Sequence, residues 1–407
     1  MLLLGNRPST CQILVMMKAA ILFDYPLNNL GHQLGITDGF YPGCTPMMNL
    51  IEGLLRLEQV QVDVVTTTKL ISNTRIVGVR PRLNVHVIGV PKFSGMVAGF
   101  LPRVRLIRRH LEGVKPDIVH GQGTEREWGI SAVTSPFPNV LTVHGILHAV
   151  HKVNKPFWIS YQHIGRWVEG MAFKKAQHVI AISPYVNRAL SSLKRAHFYP
   201  VPNAVAPVFF ERAKRHPMGK VVYSALIDVH KGFWDLLQAA QQLDQQRVCA
   251  RWAIVGKSSV GGRAYFQQCL SWAEKNLAME KIDFLGWSTQ EAFAEALQDA
   301  SCLAHPSYCE NFAMVVAEAM ASGTPVVAYA VGGIPDYIDD GVNGFLVPPG
   351  NVDLFAQRIA TLVSDPDLAL EMGAKARKTA QSFRIESVAR QTLAVYDQVL
   401  RYGGRAL

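Results

Sequence analysis

Two carboxylates behind a buried strand are the residues of this chain best placed for chemistry. Glu310 lies on a short polar loop after the apolar run that ends at Ser307, and Glu318 lies inside a predicted helix expected to begin near Phe312. The first amides of such a helix bind anions, and a carboxylate accepts hydrogen bonds from vicinal hydroxyls. The segment therefore suits a ligand with phosphates and hydroxyls. In the structural alternative, Glu310 helps to cap the helix and Glu318 is solvated.

The elements that must position these glutamates alternate between strands and helices, which is typical of a parallel sheet covered by helices. Strands of the first half are predicted at Lys18 to Asp24, Gln61 to Thr68, Val85 to Val90, Asp117 to Gly123, Asn139 to Gly145 and His178 to Ser183. Strands of the second half are predicted at Lys220 to Ile227, Trp252 to Gly256, Lys281 to Trp287, Ser301 to Ser307, Pro325 to Ala330 and Gly344 to Val347. The predicted fold class is α/β, with two facing Rossmann-like, doubly wound sheets and a ligand cleft between them.

A charged, proline-containing stretch near residues 207–219 separates the two halves. The predicted domains are therefore residues 18–205 and 206–385. Residues 386–407 are predicted to form an amphipathic helix that can pack back on the first domain. Residues 1–17 are expected to be an extension, with Met17 as an alternative start.

Composition narrows the class of protein. The 407 residues are 49% hydrophobic, but no apolar run approaches the roughly 18 residues that cross a bilayer, and no secretory signal is expected at the start. Six cysteines without a CxxC pair argue against a zinc site or a disulfide framework. A reducing, cytoplasmic location is predicted.

The net charge of +10 is unevenly distributed. Residues 18–205 carry 21 Lys and Arg against 10 Asp and Glu, or +11, whereas residues 206–407 carry 19 against 21, or −2. Such asymmetry can attract an anionic surface or substrate, and no nucleic-acid partner is expected. The alternative is a basic protein without a special partner.

The segment around the two glutamates resembles the retaining GT-B glycosyltransferases grouped as family 4, also called glycosyl transferases group 1. The resemblance rests on order and spacing over residues 284–350, and it continues more weakly upstream. The motifs that carry it are Phe284-Leu-Gly-Trp287, the pair Glu310 and Glu318, Glu318-Ala-Met-Ala-Ser-Gly-Thr-Pro, Gly332-Gly-Ile-Pro-Asp, Gly341-Val-Asn-Gly-Phe-Leu-Val-Pro-Pro-Gly350, Ile254-Val-Gly-Lys257, Val229-His-Lys-Gly232 and Thr142-Val-His-Gly145.

This resemblance implies a nucleotide-sugar donor and assigns roles to matching positions. Lys231 would hold the diphosphate, Glu318 the ribose hydroxyls, and Glu310 would lie against the donor sugar near its anomeric centre. His144 would face the donor sugar as a catalytic residue, and His120 would contact the acceptor. For both histidines, a satisfied side chain at a strand end is an equal alternative. The other implied donor contacts are Gly43, Gly286, Trp287, Asn311, Phe312, Ala313 and Met314.

The implied reaction is glycosyl transfer with retention of configuration to a lipid-linked, polysaccharide or small-molecule acceptor. It passes through an oxocarbenium-like state whose leaving diphosphate is stabilised electrostatically. No cofactor is expected, because the nucleotide sugar is a substrate. No metal is expected either, because the Asp365-Pro-Asp367 sequence lies outside the motif region.

Some positions depart from the family pattern. An arginine usually lies about six residues before the phosphate lysine, but here Ala225 occupies that position, and Arg263 is a candidate substitute. Small residues replace other family residues at Cys44, Ala204, Ala206 and Ala313. A non-catalytic sugar-nucleotide-binding subunit is therefore one alternative, and an epimerase is another. An NAD oxidoreductase is disfavoured, since no GxGxxG follows the first strand.

A basic helix is predicted at Leu101 to Glu112, with Val104, Ile107 and Leu111 on one stripe. Four arginines surround this stripe, at positions 103, 105, 108 and 109. Such a helix can lie on an anionic bilayer, which would make the protein peripheral on the inner face of a membrane. The alternative is an ordinary helix whose stripe packs on the sheet.

Overall fold

A computed structural model of the chain describes residues 16–34, 44–92, 95, 98–124, 126–146, 161–191, 193, 195–259 and 261–403. Within these ranges the chain forms two α/β domains, each built on a largely parallel sheet. This confirms the predicted fold class of two Rossmann-like domains.

Among the described residues, the sheet of the first domain has eight strands. These are β1 (Met17–Leu22), β2 (Val60–Thr68), β3 (Arg75–Arg80), β4 (Leu83–Gly89), β5 (Ile118–Gln122), β6 (Asn139–Val143), β7 (His178–Ala181) and β8 (His197–Pro200). Their order is β3-β4-β2-β1-β5-β6-β7-β8, and β3 pairs antiparallel with β4 while the other pairs are parallel. The central strands are largely buried and combine Val, Ile, Leu and Ala with a few buried polar residues such as Asp63 and His120, as fits a sheet covered on both faces.

Helices cover this sheet on both faces. They are α1 (Gly31–Leu34), α2 (Thr45–Arg56), α3 (Leu101–Val114), α4 (Glu127–Val133), α5 (Tyr161–Lys175) and α6 (Pro184–Ala189). In α3 the stripe of Val104, Ile107 and Leu111 is buried. Arg103 is also buried and donates a 2.7 Å hydrogen bond to Glu127. The apolar stripe therefore packs inward, as the alternative of an ordinary helix predicted, and contact of α3 with an anionic bilayer stays a prediction for its outer face.

The second domain has strands β9 (Lys220–Ser224), β10 (Arg251–Val255), β11 (Ile282–Gly286), β12 (Ala300–His305), β13 (Val326–Tyr329) and β14 (Phe345–Val347). They pair in parallel in the order β11-β10-β9-β12-β13-β14. The helices are α7 (Val208–Glu211), α8 (Phe233–Gln245), α9 (Arg263–Asn276), α10 (Gln290–Leu297), α11 (Met314–Ala321), α12 (Val352–Ser364) and α13 (Pro366–Ala380). The central strand β9 and its neighbour β12 thus direct their carboxyl ends, and the loops after them, toward one edge.

The last helix, α14 (Ile385–Gly403), returns to the first domain and packs along α2. The two helices approach so closely that a β-carbon on Gly53 would lie 2.4 Å from the Ile385 carbonyl oxygen. Where the chain returns, the Val205 amide donates to the Phe383 carbonyl at 2.8 Å. Among the described helices, none combines the length and apolarity needed to cross a membrane.

Candidate active site

The loop between β12 and α11 carries Glu310. Helix α11 begins at Met314, slightly later than the sequence suggested. Ala313, just before it, has a φ of +57°, in the left-handed region that a β-carbon disfavours and glycine tolerates. This conformation explains why family members usually carry glycine there.

Two glycines, Gly332 and Gly333, pack directly against the backbone of this loop. A β-carbon on Gly332 would lie 1.5 Å from the Glu310 carbonyl oxygen, and one on Gly333 would lie 2.2 Å from the Asn311 carbonyl oxygen. Gly332 also has a φ of +55°. The Gly332-Gly333 sequence thus permits a backbone contact that places Glu310 at the cleft.

Glu310 is held by two basic side chains. Its Oε1 accepts a 2.6 Å hydrogen bond from Lys231 Nζ and lies 3.1 Å from His305 Nε2, and its side chain is 11% exposed. Burial alone would raise the pKa of Glu310, but Lys231 and His305 outweigh this effect and hold the pKa well below its ordinary value. Glu310 is therefore an ionised carboxylate at neutral pH. No local sequence pattern pointed to His305 as its partner.

Lys231 ends a short 3₁₀ turn, Val229–Lys231, that follows β9. The next residue, Gly232, has a φ of +66°, and a β-carbon there would lie 1.9 Å from the Pro306 carbonyl oxygen. The turn and the β12 loop are therefore packed backbone to backbone. This packing explains the Lys-Gly pair and brings Lys231 to Glu310.

Glu318 lies on the second turn of α11 and is only 6% exposed. It lines a cavity of about 320 Å³ between the domains, together with Thr45 and Pro46 of α2 and with Ser224, the last residue of β9. Burial raises the pKa of Glu318 from 4.5 to about 7. This carboxylate is not solvated, and hydroxyl donors in the cavity would stabilise its charged form.

Trp287 forms another wall of the same cavity. Its side chain is 47% exposed, and the ammonium of Lys257 lies 5.4 Å from its ring centroid. Gly286, just before it, has a φ of +67° and ends β11. An exposed aromatic ring at a cavity wall offers a face on which a flat base can stack.

Ala225 also lines the cavity, so no guanidinium projects from this position. A β-carbon on Gly256 would lie only 1.9 Å from the Ala225 carbonyl oxygen. This close approach, together with a φ of +137°, explains why residue 256 is a glycine. Arg263, the predicted substitute, is exposed at the first residue of α9 and is not among the residues lining this cavity.

From the first domain, the loop after β6 faces the Glu310 loop. A β-carbon on Gly145 would lie 4.0 Å from the Asn311 side-chain nitrogen. The neighbouring His144 is half-buried, and its Nε2 is 2.6 Å from Gln122 Oε1. Burial lowers the pKa of His144 to about 4, only partly offset by a hydrogen bond to Asn203. His144 is therefore a neutral imidazole near the Glu310 loop.

His120 is different, because it is fully buried beneath the cleft. Its Nδ1 is 2.7 Å from the Tyr396 hydroxyl of α14, and its Nε2 is 2.6 Å from Thr142 Oγ1. Burial lowers the pKa of His120 to about 3, so it is neutral. These contacts favour the structural alternative, and its acceptor role stays a prediction.

Gly43 lies outside the described residues. The next residue, Cys44, precedes α2, whose first residues Thr45 and Pro46 reach the cavity. No motif in the sequence pointed to these two residues, although proline near the start of a helix is a signal for a helix terminus there. Asp365 caps α13 by accepting a 2.9 Å hydrogen bond from the Leu368 amide. Among the described residues, no cluster of His, Cys, Asp and Glu is arranged to hold a metal.

Two family models match consecutive stretches of the chain. Residues 47–208 match the model described as Glycosyltransferase Family 4, and residues 208–379 match Glycosyl transferases group 1. The chain belongs to the GT-B glycosyltransferases of the family 4 type, as the resemblance predicted.

Curated relatives match over a limited stretch. The chain is 44% identical over 111 residues to the D-inositol 3-phosphate glycosyltransferase of Streptomyces griseus, covering 27% of this chain and 24% of that protein. It is 38% identical over 144 residues to the protein of the same name from Kribbella flavida, covering 35% of this chain and 34% of that protein. The alignments thus span about a quarter to a third of the relatives' length.

Solved structures share the whole fold. Sucrose-phosphate synthase from Thermosynechococcus elongatus superposes with a TM-score of 0.77 at 21% identity, covering 95% of this chain and 100% of that chain. Anabaena HepE in complex with UDP-glucose superposes with a TM-score of 0.70 at 19% identity, covering 94% and 100%. At these identities the likeness establishes the two-domain architecture.

Proposed function

We propose that this chain is a glycosyltransferase that takes a sugar from a nucleotide-sugar donor bound between its domains. The observation that carries the proposal is Glu318, a buried carboxylate that faces an interdomain cavity. A buried carboxylate without an ion-pair partner is costly unless hydrogen-bond donors satisfy it. The two vicinal hydroxyls of a ribose supply such donors, and the neighbouring Trp287 supplies a face for the base.

The diphosphate would lie between Lys231 and the first turn of α11. Lys231 provides a compact positive charge, and the amino end of an α-helix favours anions. Met314 and Val315 of that first turn line the same cavity as Glu318. The crystal structures of HepE with UDP and with UDP-glucose support testing UDP-sugar donors first.

In the proposed reaction the bond between the sugar anomeric carbon and the diphosphate oxygen breaks, and the diphosphate leaves with the electron pair. An acceptor hydroxyl forms the new bond on the same face, and its proton passes to the leaving phosphate. Lys231 stabilises the developing negative charge. Glu310, once Lys231 engages the diphosphate, accepts hydrogen bonds from donor-sugar hydroxyls. We propose retention of configuration and no metal requirement.

A thermal-shift screen tests the donor assignment. UDP-, GDP- and ADP-sugars are compared with wild-type protein, Glu318→Ala and the exposed control Glu371→Ala. One donor class is expected to raise the wild-type and Glu371→Ala midpoints and to leave Glu318→Ala unshifted. A shift that persists in Glu318→Ala would place the donor elsewhere.

Turnover is then measured with that donor and a panel of lipid-linked, polysaccharide and small-molecule acceptors, which includes inositol phosphates because of the curated relatives. The anomeric proton coupling in the product reports retention or inversion. Activity that is unchanged by EDTA is expected. Inversion, or loss of activity restored by a divalent cation, would contradict the corresponding part of the proposal.

A second candidate function is a non-catalytic sugar-nucleotide-binding subunit, and Ala225 is the observation that favours it. A missing arginine at the phosphates removes a charged donor, which can cost several kcal/mol of transition-state stabilisation. Donor binding without turnover on any acceptor supports this candidate. Ala225→Arg separates the two further, because a gain in turnover requires the remaining catalytic residues to be functional.

We also propose that the outer face of α3 contacts an anionic membrane surface. Arg105, Arg108 and Arg109 are exposed there, with Leu106 37% exposed among them. Each basic residue near such a surface contributes about 1 kcal/mol at low salt. Wild-type protein is expected to float with anionic vesicles. The variant with all three arginines changed to Glu is expected to lose flotation, whereas Lys115→Glu is expected to retain it. Absence of flotation of the wild-type protein would contradict this proposal.

We propose a cytoplasmic location. Four of the described cysteines, Cys249, Cys269, Cys302 and Cys309, are free thiols. Free thiols persist in a reducing compartment. Fractionation of cells that express the chain would test this, and recovery from a secreted fraction would contradict it.

A further inference from the structure

We propose that Asp336 is a positioning residue that latches the two domains together and thereby fixes the loop carrying Glu310. Asp336 belongs to the second domain, and its side chain is only 8% exposed. Its Oδ2 accepts a 2.6 Å hydrogen bond from the Tyr185 amide, and its Oδ1 accepts a 2.8 Å hydrogen bond from Arg188 Nη2. Both donors belong to α6 of the first domain.

Asp336 completes the capping of helix α6, whose amino end is capped only in part by residues of the first domain. The first amides of a helix have no partner inside it, and Pro184 at the start of α6 has no amide hydrogen. Ser183 of the same domain accepts a 3.3 Å hydrogen bond from the Val186 amide. The carboxylate of Asp336 accepts from the Tyr185 amide between them, and its charge suits the amino end of the helix.

The same contacts reach the candidate active site. Ser183 Oγ donates a 2.8 Å hydrogen bond to the Asn311 carbonyl, in the residue after Glu310. A β-carbon on Gly333 would lie 2.8 Å from Ser183 Oγ, and Asp336 follows three residues later. The segment from Gly333 to Asp336 is therefore packed between α6 and the Glu310 loop. Displacement of Asp336 from α6 would disturb that loop.

Coupling to donor binding follows from the cavity and rests on the proposed function. Thr45 and Pro46 of the first domain line the cavity opposite Glu318 of the second. A ligand that contacts both walls favours the arrangement in which the latch is formed. By linkage, loss of the latch must then weaken ligand binding by the same factor by which the ligand strengthens the latch.

Hydrogen exchange of the ligand-free protein tests the latch independently of the donor. Asp336→Ala is expected to speed exchange in the peptide containing Tyr185 about tenfold, because a hydrogen bond to a charged acceptor is lost. Asp339→Ala, an exposed acidic residue on the same segment, is the matched control. Asp336→Asn, which keeps an acceptor oxygen, serves if Asp336→Ala does not fold. Exchange equal to that of Asp339→Ala in the variant that folds would overturn the latch.

UDP is the probe for the coupling. In wild type, UDP is expected to slow exchange at residues 314–318 and at Tyr185. Asp336→Ala is expected to bind UDP about five- to tenfold more weakly, and Arg188→Ala, whose side chain is 63% exposed, less than threefold more weakly. Protection at 314–318 without protection at Tyr185 would overturn the coupling. No protection at 314–318 by UDP, GDP or ADP would instead contradict the donor assignment, and the ligand-free comparison would still decide the latch.

Discussion

Lys231 and Glu310, 79 positions apart in the chain, form a 2.6 Å ion pair at the mouth of the interdomain cleft. The ammonium neutralises a carboxylate that is 11% exposed. A diphosphate that binds Lys231 must therefore compete with Glu310 for the same charge. In the proposed mechanism, the pair keeps both side chains oriented before the donor arrives, and exchange of partners would release the carboxylate toward the sugar.

Lys231→Ala is expected to reduce kcat/KM by about 10²- to 10³-fold, because a charged donor to the leaving group is removed. Lys231→Arg should restore part of this loss, since it keeps the charge but not the compact geometry. Steady-state kinetics with the donor found by thermal shift provide the measurement. Lys375→Ala, from an exposed ion pair with Glu371, should stay at the wild-type rate. Wild-type kinetics in Lys231→Ala would remove this residue from the mechanism.

The raised pKa of Glu318 makes stability depend on pH. Its pKa is 4.5 ordinarily and about 7 in the folded protein, so the folded state holds a proton that the unfolded state has released between these values. The contribution of this group to the free energy of unfolding is greatest below pH 4.5. It decreases by about 3 kcal/mol as the pH rises through 7. Glu318→Gln should therefore gain stability over wild type at pH 8 but not at pH 5, as measured by urea unfolding. An equal difference at both pH values would contradict this.

Donor binding should shift the same pKa in the opposite direction. Hydroxyls that donate to Glu318 favour its charged form, so binding of an intact sugar nucleotide releases a proton and tightens as pH rises from 6 to 8. Calorimetry in two buffers of different ionisation enthalpy measures this release. In Glu318→Gln the proton release should disappear, and its persistence would assign it to another group.

Ala313→Gly is expected to stabilise the protein by about 1 kcal/mol. A β-carbon in the left-handed region costs about 1–2 kcal/mol, and the greater freedom of glycine in the unfolded chain offsets part of the gain. Ala374→Gly, at an exposed position inside α13, should instead destabilise by about 1 kcal/mol. The two opposite signs are checked by thermal unfolding. Destabilisation by both changes would show that the φ of residue 313 carries no strain.

Gly332→Ala should damage both stability and activity. Gly332 and Gly341 share a positive φ, but a β-carbon on Gly332 meets the Glu310 carbonyl at 1.5 Å, whereas one on Gly341 meets nothing within 4 Å. Gly341→Ala should therefore cost only the backbone strain of about 1–2 kcal/mol. Gly332→Ala should cost about 1–3 kcal/mol more and reduce turnover, because the Glu310 loop must shift. Equal unfolding free energies for the two variants would be inconsistent with this contact.

Strands buried on both faces could be predicted from the sequence, because their apolar runs do not depend on their neighbours. The missed strands are of another kind. β3 (Arg75–Arg80) is largely exposed and charged at both ends, and it forms an antiparallel edge next to β4. β8 is four residues long and ends in Pro200. Both are strands because a neighbouring strand offers hydrogen bonds, which no local pattern records.

For the site, motif spacing pointed to the candidate residues of the second domain, because these residues lie on or next to loops that follow strands of one sheet. It could not predict contacts between distant segments. His305 beside Glu310, Thr45 across the cavity from Glu318, and Asp336 against α6 all depend on tertiary packing. Burial of His120 under α14 is the same kind of fact, since Tyr396 lies 276 residues away.

The return of α14 to the first domain means that the polypeptide crosses between the domains twice, and the two crossings touch where Val205 pairs with Arg384. Two connecting segments that run side by side restrict twisting and sliding of the domains more than a single segment does. We therefore expect the relative motion of the domains to be mainly a hinge rotation about this pair of segments. A protease cut near Val205 would leave the halves joined through Arg384 and the packing of α14 on the first domain, and a cut near Arg384 would leave them joined through Val205. We therefore expect the cleft to open and close about these two segments without loss of alignment between its two walls.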